Sequence, residues 1–342
     1  MFSSKSSLFR TAFWGALAAV FIIACKSEPS PPSNASDYVA YVSAYSSGLL
    51  SKEAEIRVVL AKPVEDFPGV NQLAMENLLS FNPPIEGVLL WADQNSLLFK
   101  PNEILPAGQS YQATLALGKI FNDVPEELQE FAFNFQVLNQ TYAVSNINMR
   151  TYSTKDLTRN KIVGEVLSGD VADVLELKKL LIAKQNGKEI RVKWRQDASR
   201  KQHFFTLDSV VRSEKPEVVT FEWNESEALG EVPERFEIPA LGDFKIIAVN
   251  VIQSPEQKVI INFSDPLLET QNLAGLVEIE NVENIGFGID NTQLQLIING
   301  TISGERKLTV HQGIKNAAGY AFKEKYEGLV KFTDVKPAVE LI

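Results

Sequence analysis

From Asp37 onward, apolar residues recur with a period of two, or in continuous runs of five to eight, bounded by Gly, Pro, Asn and Asp. Residues 56–60 (IRVVL), 87–91 (GVLLW) and 96–99 (SLLF) read as strands. So do 111–117 (YQATLAL) and 131–137 (FAFNFQV), which alternate cleanly. Alternation is what a half-buried strand requires, because successive side chains point to opposite faces. Five or more strands within about 100 residues predict a β-sandwich.

The same plan returns later in the chain. IRVVLAKPV at 56–64 matches VIINFSDPL at 259–267, and DQNSLLF at 93–99 matches DNTQLQL at 290–296. YQATLALG at 111–118 matches RKLTVHQG at 306–313, and 131–137 matches 328–334 around Phe135 and Phe332. Four strands in one order, at a nearly constant offset, argue for an internal repeat.

The stretch between the copies is also β-rich. Residues 161–167, 203–207 and 218–223 read as strands, and 180–184 and 189–194 flank Asn186-Gly187. That dipeptide is a strong hairpin signal, because both residues tolerate positive φ. Asp170-Val171-Ala172-Asp173 opens a short helical piece through Leu177. Pro and Gly in IPALGD, at 238–243, mark one joint between units, and 138–142 marks another. The expected fold class is all-β: tandem Ig-like β-sandwich domains with a short helix in the middle one.

The first residues follow a different logic. Lys5 and Arg10 precede 11–24 (TAFWGALAAVFIIA), an apolar run too short to span a membrane as a helix. A positive segment followed by such a run is a secretory signal peptide. Ile22-Ile23-Ala24-Cys25 resembles the bacterial lipobox, whose Cys is acylated and becomes the first residue after cleavage. Cys25 is the single cysteine of the chain, so it is the lipidation site to test. The Pro- and Ser-rich KSEPSPPSNAS that follows favours an extended spacer. The expected organisation is a signal peptide (1–24), a tether (25–36), a first sandwich (37–140) and a β-rich middle domain (141–240). A second sandwich repeating the first (241–335) and the start of a linker to further domains (336–342) complete it.

Composition narrows the chemistry. Asp plus Glu number 43 against 33 Lys plus Arg, a net charge of −10. Losing Lys5 and Arg10 with the signal peptide takes this from −10 to −12. So acidic a chain, with no basic block, is a poor partner for nucleic acid. One Cys and two His exclude an intrachain disulfide, Cys-based metal sites and multi-imidazole chemistry. His203 and His311 lie in alternating strand patterns, with no G-x-S-x-G to supply a nucleophile.

The carboxylate pairs Glu126/Glu127, Glu225/Glu227 and Glu278/Glu280 read as solvated charge, and Asp265 and Asp290 are too few for a calcium shell. Gly286-Phe287-Gly288 has no helix after it to make a nucleotide loop. Trp91, Trp194 and Trp223 fall in strand patterns, where core packing is favoured over a carbohydrate platform. No catalytic, metal or cofactor-binding residue is expected, and the chain is read as a non-enzyme.

A lipobox followed by YVSAYSSGLLSKEAEIRVVLAKPV, GEVLSGDVADVLELKKLLIAKQNGKEIRVKW, INFSDPLLETQNLAGLVEI, LTVHQGIKNAAGY and VKFTDVKPAVELI resembles the N-terminal portion of bacterial alpha-2-macroglobulins. That resemblance implies a chain of macroglobulin-type sandwiches in a protein that traps proteases by a cleavable bait and, in many members, a thioester. With no second Cys there is no thioester here, and no bait segment is visible. The expectation is a membrane-anchored N-terminal scaffold of a macroglobulin-like endopeptidase inhibitor. It is a lipoprotein of the bacterial cell envelope, at the outer membrane, on its periplasmic face or the cell surface. Its partners would be the lipid membrane, through acylated Cys25, and proteases if it belongs to a longer inhibitor. The alternative is a cell-envelope adhesion or binding lipoprotein built of Ig-like domains.

Overall fold

A computed structural model describes residues 35–224, 232–253 and 256–333. The signal peptide, Cys25, Glu225, Glu227 and the linker from 336 lie outside the described residues.

The first sandwich contains β1 (Val42–Tyr45), β2 (Gly48–Leu50), β3 (Ile56–Leu60), β4 (Leu79–Asn82), β5 (Gly87–Asp93), β6 (Ser96–Pro101), β7 (Ser110–Ala116) and β8 (Glu130–Val137). Its sheets run β1-β3-β6-β5 and β2-β8-β7-β4. Alternation decides which faces meet. Phe131, Phe133 and Phe135 of β8 pack with Tyr111, Ala113 and Leu115 of β7 against Ile56, Val58, Leu97 and Phe99 of the other sheet. The rings of Tyr111 and Phe135 stack with centroids 5.3 Å apart.

The middle sandwich contains β9 (Tyr142–Thr151), β10 (Arg159–Ser168), α1 (Val174–Leu180), β11 (Leu181–Gln185), β12 (Lys188–Ile190), β13 (Val192–Gln196), β14 (Gln202–Val211), β15 (Glu217–Trp223) and β16 (Arg235–Ile238). Its sheets run β9-β10-β14-β13 and β12-β11-β15-β16. The third contains β17 (Ile246–Ile252), β18 (Lys258–Phe263), β19 (Val277–Ile279), β20 (Gly286–Asp290), β21 (Gln293–Ile297), β22 (Gly304–Val310) and β23 (Tyr326–Phe332). Its sheets run β17-β18-β21-β20 and β19-β22-β23. Each sandwich closes over its own hydrophobic core.

All three share one topology. With the seven common strands lettered A to G in chain order, one sheet is A-B-E-D and the other C-F-G. This is the immunoglobulin constant-type arrangement. The middle unit adds β12 beside its C strand, and the first adds β2, parallel to G. The four sequence matches lie on the B, E, F and G strands: β3 and β18, β6 and β21, β7 and β22, β8 and β23.

Two local readings need correction. The helix begins after Asp173, not at Asp170. Asp173 is its N-cap, accepting from the Leu175 and Glu176 N–H groups, while the Glu176 carboxylate accepts from the Asp173 N–H. This reciprocal capping box places the first turn at Val174. The strand expected over 189–194 is two strands. Asn186 and Gly187 do make the hairpin, at φ 50° and 75°. After Ile190 the chain then crosses to the opposite sheet, where β13 pairs with β14. Ile190, Val192 and Trp194 all pack on the core, so the alternation runs through the crossing without a break.

Candidate functional site

The sandwiches meet at two joints, and the buried polar chemistry between units concentrates there. At the first, the A–B loop of the first sandwich inserts Ser51, Lys52 and Glu53 against the middle one. Asp170 lies at 1% exposure. Its carboxylate accepts from the Ser51 hydroxyl at 2.7 Å, the Lys52 N–H at 2.7 Å and the Val171 N–H at 2.8 Å. Its own N–H donates to the Gln140 side chain at 3.0 Å. The Lys52 ammonium pairs with Glu176 at 2.7 Å, and Arg200 pairs with Glu53. Glu176 thus both closes the capping box and holds the preceding sandwich.

The second joint repeats this polarity. Its centre is Arg212, just past β14, with a fully buried side chain. The guanidinium donates to Asp265 at 2.5 Å, to the Ser264 carbonyl at 2.8 Å, and to the Pro239 and Ala240 carbonyls, each at 2.8 Å. Asp265 also accepts from Asn316 at 2.9 Å and from the Ser264 hydroxyl at 3.2 Å. One side chain therefore ties the third sandwich to the connecting segment and to the middle sandwich. The Thr292 hydroxyl donates to the Met149 carbonyl at 2.8 Å, and Arg150 pairs with Asp290 at 2.5 Å. At the first joint the A–B loop faces the B–C and D–E connections of the next unit, whereas at the second the end of β9 and the E–F connection face the corresponding loops.

Beside the second joint runs a groove of about 530 Å³. Its floor is the outer face of the middle A-B-E-D sheet, and its wall comes from β17, β18 and β21. Asp208 accepts from Lys193 at 2.5 Å and from the Tyr152 hydroxyl at 2.6 Å, and these bonds, that from Lys193 foremost, hold its carboxyl below the usual range. Burial, and then the bond to Asp208, push the Tyr152 phenol up.

The residues weighed for chemistry are dispersed. His203 is buried, with Nε2 3.0 Å from the Ser168 hydroxyl. That hydroxyl also lies 3.2 Å from the Lys201 carbonyl. Among the described residues Nδ1 has no partner, and none of them places an acid to orient the ring as a catalytic triad requires. Burial lowers the imidazole pKa, holding it neutral. His311 is half-exposed, 3.7 Å from Glu278.

Glu126 and Glu127 form an exposed 3-10 turn. Gly286 and Gly288 lie within β20. Asp265 and Asp290 each take an arginine from the middle sandwich. Among the described residues no group of three His, Cys, Asp or Glu is placed to hold a metal. Trp91 lies in the first core, and Trp194 and Trp223 pack against the middle one. No helix among the described residues is long and apolar enough to cross a membrane.

The sequence pattern offers Asp265 as a cation ligand and Asp170 as the opening of a helix, and it singles out neither Lys52 nor Arg212. A lone acid inside the apolar run INFSDPLL is the signal that could have found Asp265.

No protein-family model matches the chain, and no curated protein sequence matches it. Among solved structures it is similar to surface layer protein SbsC, domains 4–9, at 13% identity over 88% of this chain and 49% of that one, TM-score 0.33. This chain thus spans about half the length of that structure. It is similar to native alpha-2-macroglobulin from Escherichia coli spanning domains MG0-NIE-MG1, at 9% identity over 85% and 95%, TM-score 0.29. It is similar to the I9–I11 tandem from titin, at 10% identity over 83% and 95%, TM-score 0.23. Likeness at these values assigns neither a family nor an activity.

Proposed function

We propose that the chain is a non-enzymatic scaffold of the bacterial cell envelope, anchored at the outer membrane through acylated Cys25. In this reading it is the N-terminal part of a macroglobulin-type endopeptidase inhibitor. The observation that carries the scaffold reading is the matched polarity of the two joints, each closed around a buried, multiply bonded carboxylate. Three sandwiches so joined act as one body, and a body fixed at one end sets the position of whatever is attached to the other. The inhibitor reading draws on the sequence resemblance. With a single Cys, this sequence leaves any thioester to another part of a longer protein.

Anchoring is tested by expression in a bacterial host with labelled palmitate. The wild type takes up label and fractionates with membranes, and Cys25→Ser does neither. Equal labelling of both removes the anchor. A second reading, an envelope binding lipoprotein of Ig-like domains, is favoured by the polar groove beside the second joint.

A further inference from the structure

We propose that this groove binds an acidic oligosaccharide, a ligand rich in vicinal hydroxyls and carrying carboxylates. Its volume of about 530 Å³ falls within the roughly 300–1,000 Å³ of small-ligand sites. The buried second joint fixes the floor relative to the wall, so the site is formed before a ligand arrives.

Asn148 points to hydroxyl chemistry. It lies on β9, lines the groove and is 5% exposed. Its amide nitrogen donates to the Asn146 carbonyl at 3.0 Å, and its oxygen has no partner among the described residues. Which amide atom is oxygen is assigned from the hydrogen-bond network. The bond to the Asn146 carbonyl needs the nitrogen on that side, so the oxygen is the atom left over, and a ligand hydroxyl donates to it. Asn146, Asn250, Gln293 and Asp208 also line the groove. Planar polar groups of this kind pair with neighbouring hydroxyls, and they give little hold on apolar peptide side chains or lipid.

Of the groove's charged residues, Arg150 and Lys193 pair with Asp290 and Asp208, and Glu165 accepts from the Asn146 amide, which leaves Lys161 and Arg195. Lys161 sits 5.7 Å from the centre of the Tyr152 ring and Arg195 4.1 Å from that of Phe204. Among the described residues neither has a carboxylate within ion-pair distance, in a chain of net charge −10. Their rings hold these two cations on the groove face, which suits carboxylates on the ligand.

The test is calorimetric titration of the full chain, purified in detergent, with three probes: a linear uronic-acid tetrasaccharide, its neutral hexose counterpart and an acidic decapeptide. The acidic sugar binds saturably, and the neutral sugar binds about tenfold more weakly. The double substitution Lys161→Ala/Arg195→Ala removes that difference. Asn148→Leu weakens both sugars, and an unchanged circular dichroism spectrum shows that the variant is folded. The inference is overturned by no saturable sugar binding, by sugar binding that both variants leave unchanged, or by the decapeptide binding in place of the sugars. None of these outcomes bears on the anchor at Cys25.

Discussion

Arg212 and Asp265 meet 2.5 Å apart across two sandwiches, their side chains 0% and 2% exposed. Taking both charges out of water is expensive, and the surrounding carbonyls and Asn316 offset part of that cost. Removing one partner leaves the other buried and uncompensated. Arg212→Ala should therefore destabilise the joint by about 3–5 kcal/mol, and Arg212→Met/Asp265→Leu should recover most of it. Urea unfolding followed by near-ultraviolet signals checks both. A single variant costing under about 1 kcal/mol would place this pair with exposed ion pairs.

The first joint answers to a different substitution. Asp170→Ala removes the acceptor of the Ser51 hydroxyl and the Lys52 and Val171 N–H groups. The expected loss is about 1–3 kcal/mol. Hydrogen exchange should speed up at Lys52 and Val171 while β14 and β22 keep their protection. Unchanged protection at Lys52 would remove Asp170 from the joint.

Acid should loosen the middle sandwich through His203. Burial lowers its pKa, so the folded protein keeps the ring neutral. The contribution is full above the ordinary value near about 6.5. Below that, the unfolded chain takes up a proton that the folded chain refuses, and stability falls by at most about 1.4 kcal/mol per pH unit. His203→Gln, whose amide can still pair with Ser168 as donor or acceptor, should show a shallower decline between pH 7.5 and 5.5. Identical slopes would mean that the ring is not held neutral.

Protease trapping is expected to be absent from these residues alone. Residues 33–342 incubated with several proteases should protect neither a large nor a small substrate. Selective protection of the large one would place a trapping mechanism within these sandwiches.

Much of the fold is legible in the sequence because strand alternation is a local property. The faces of β7 and β8 are visible in YQATLAL and FAFNFQV, and the repeat shows where B, E, F and G strands keep similar lengths. The middle sandwich hides its kinship. A helix and an added strand interrupt its C region, and the crossing at Arg191 falls inside an unbroken alternation of Ile190, Val192 and Trp194.

The joints are harder to read. Arg212 and Asp265 stand 53 positions apart, and each taken alone resembles a charge at the end of a strand. Only the packing of one unit on the next turns Asp265 from a possible cation ligand into the partner of an arginine.

The scaffold account rests on the three sandwiches moving as one body, and small-angle X-ray scattering of residues 33–342 tests this most directly. Charges closed to solvent are little screened by salt. Profiles at about 0.05 M and about 0.5 M salt should therefore superimpose and fit one fixed arrangement of the units. Profiles that expand with salt, or that need a mixture of inter-sandwich angles, would contradict it.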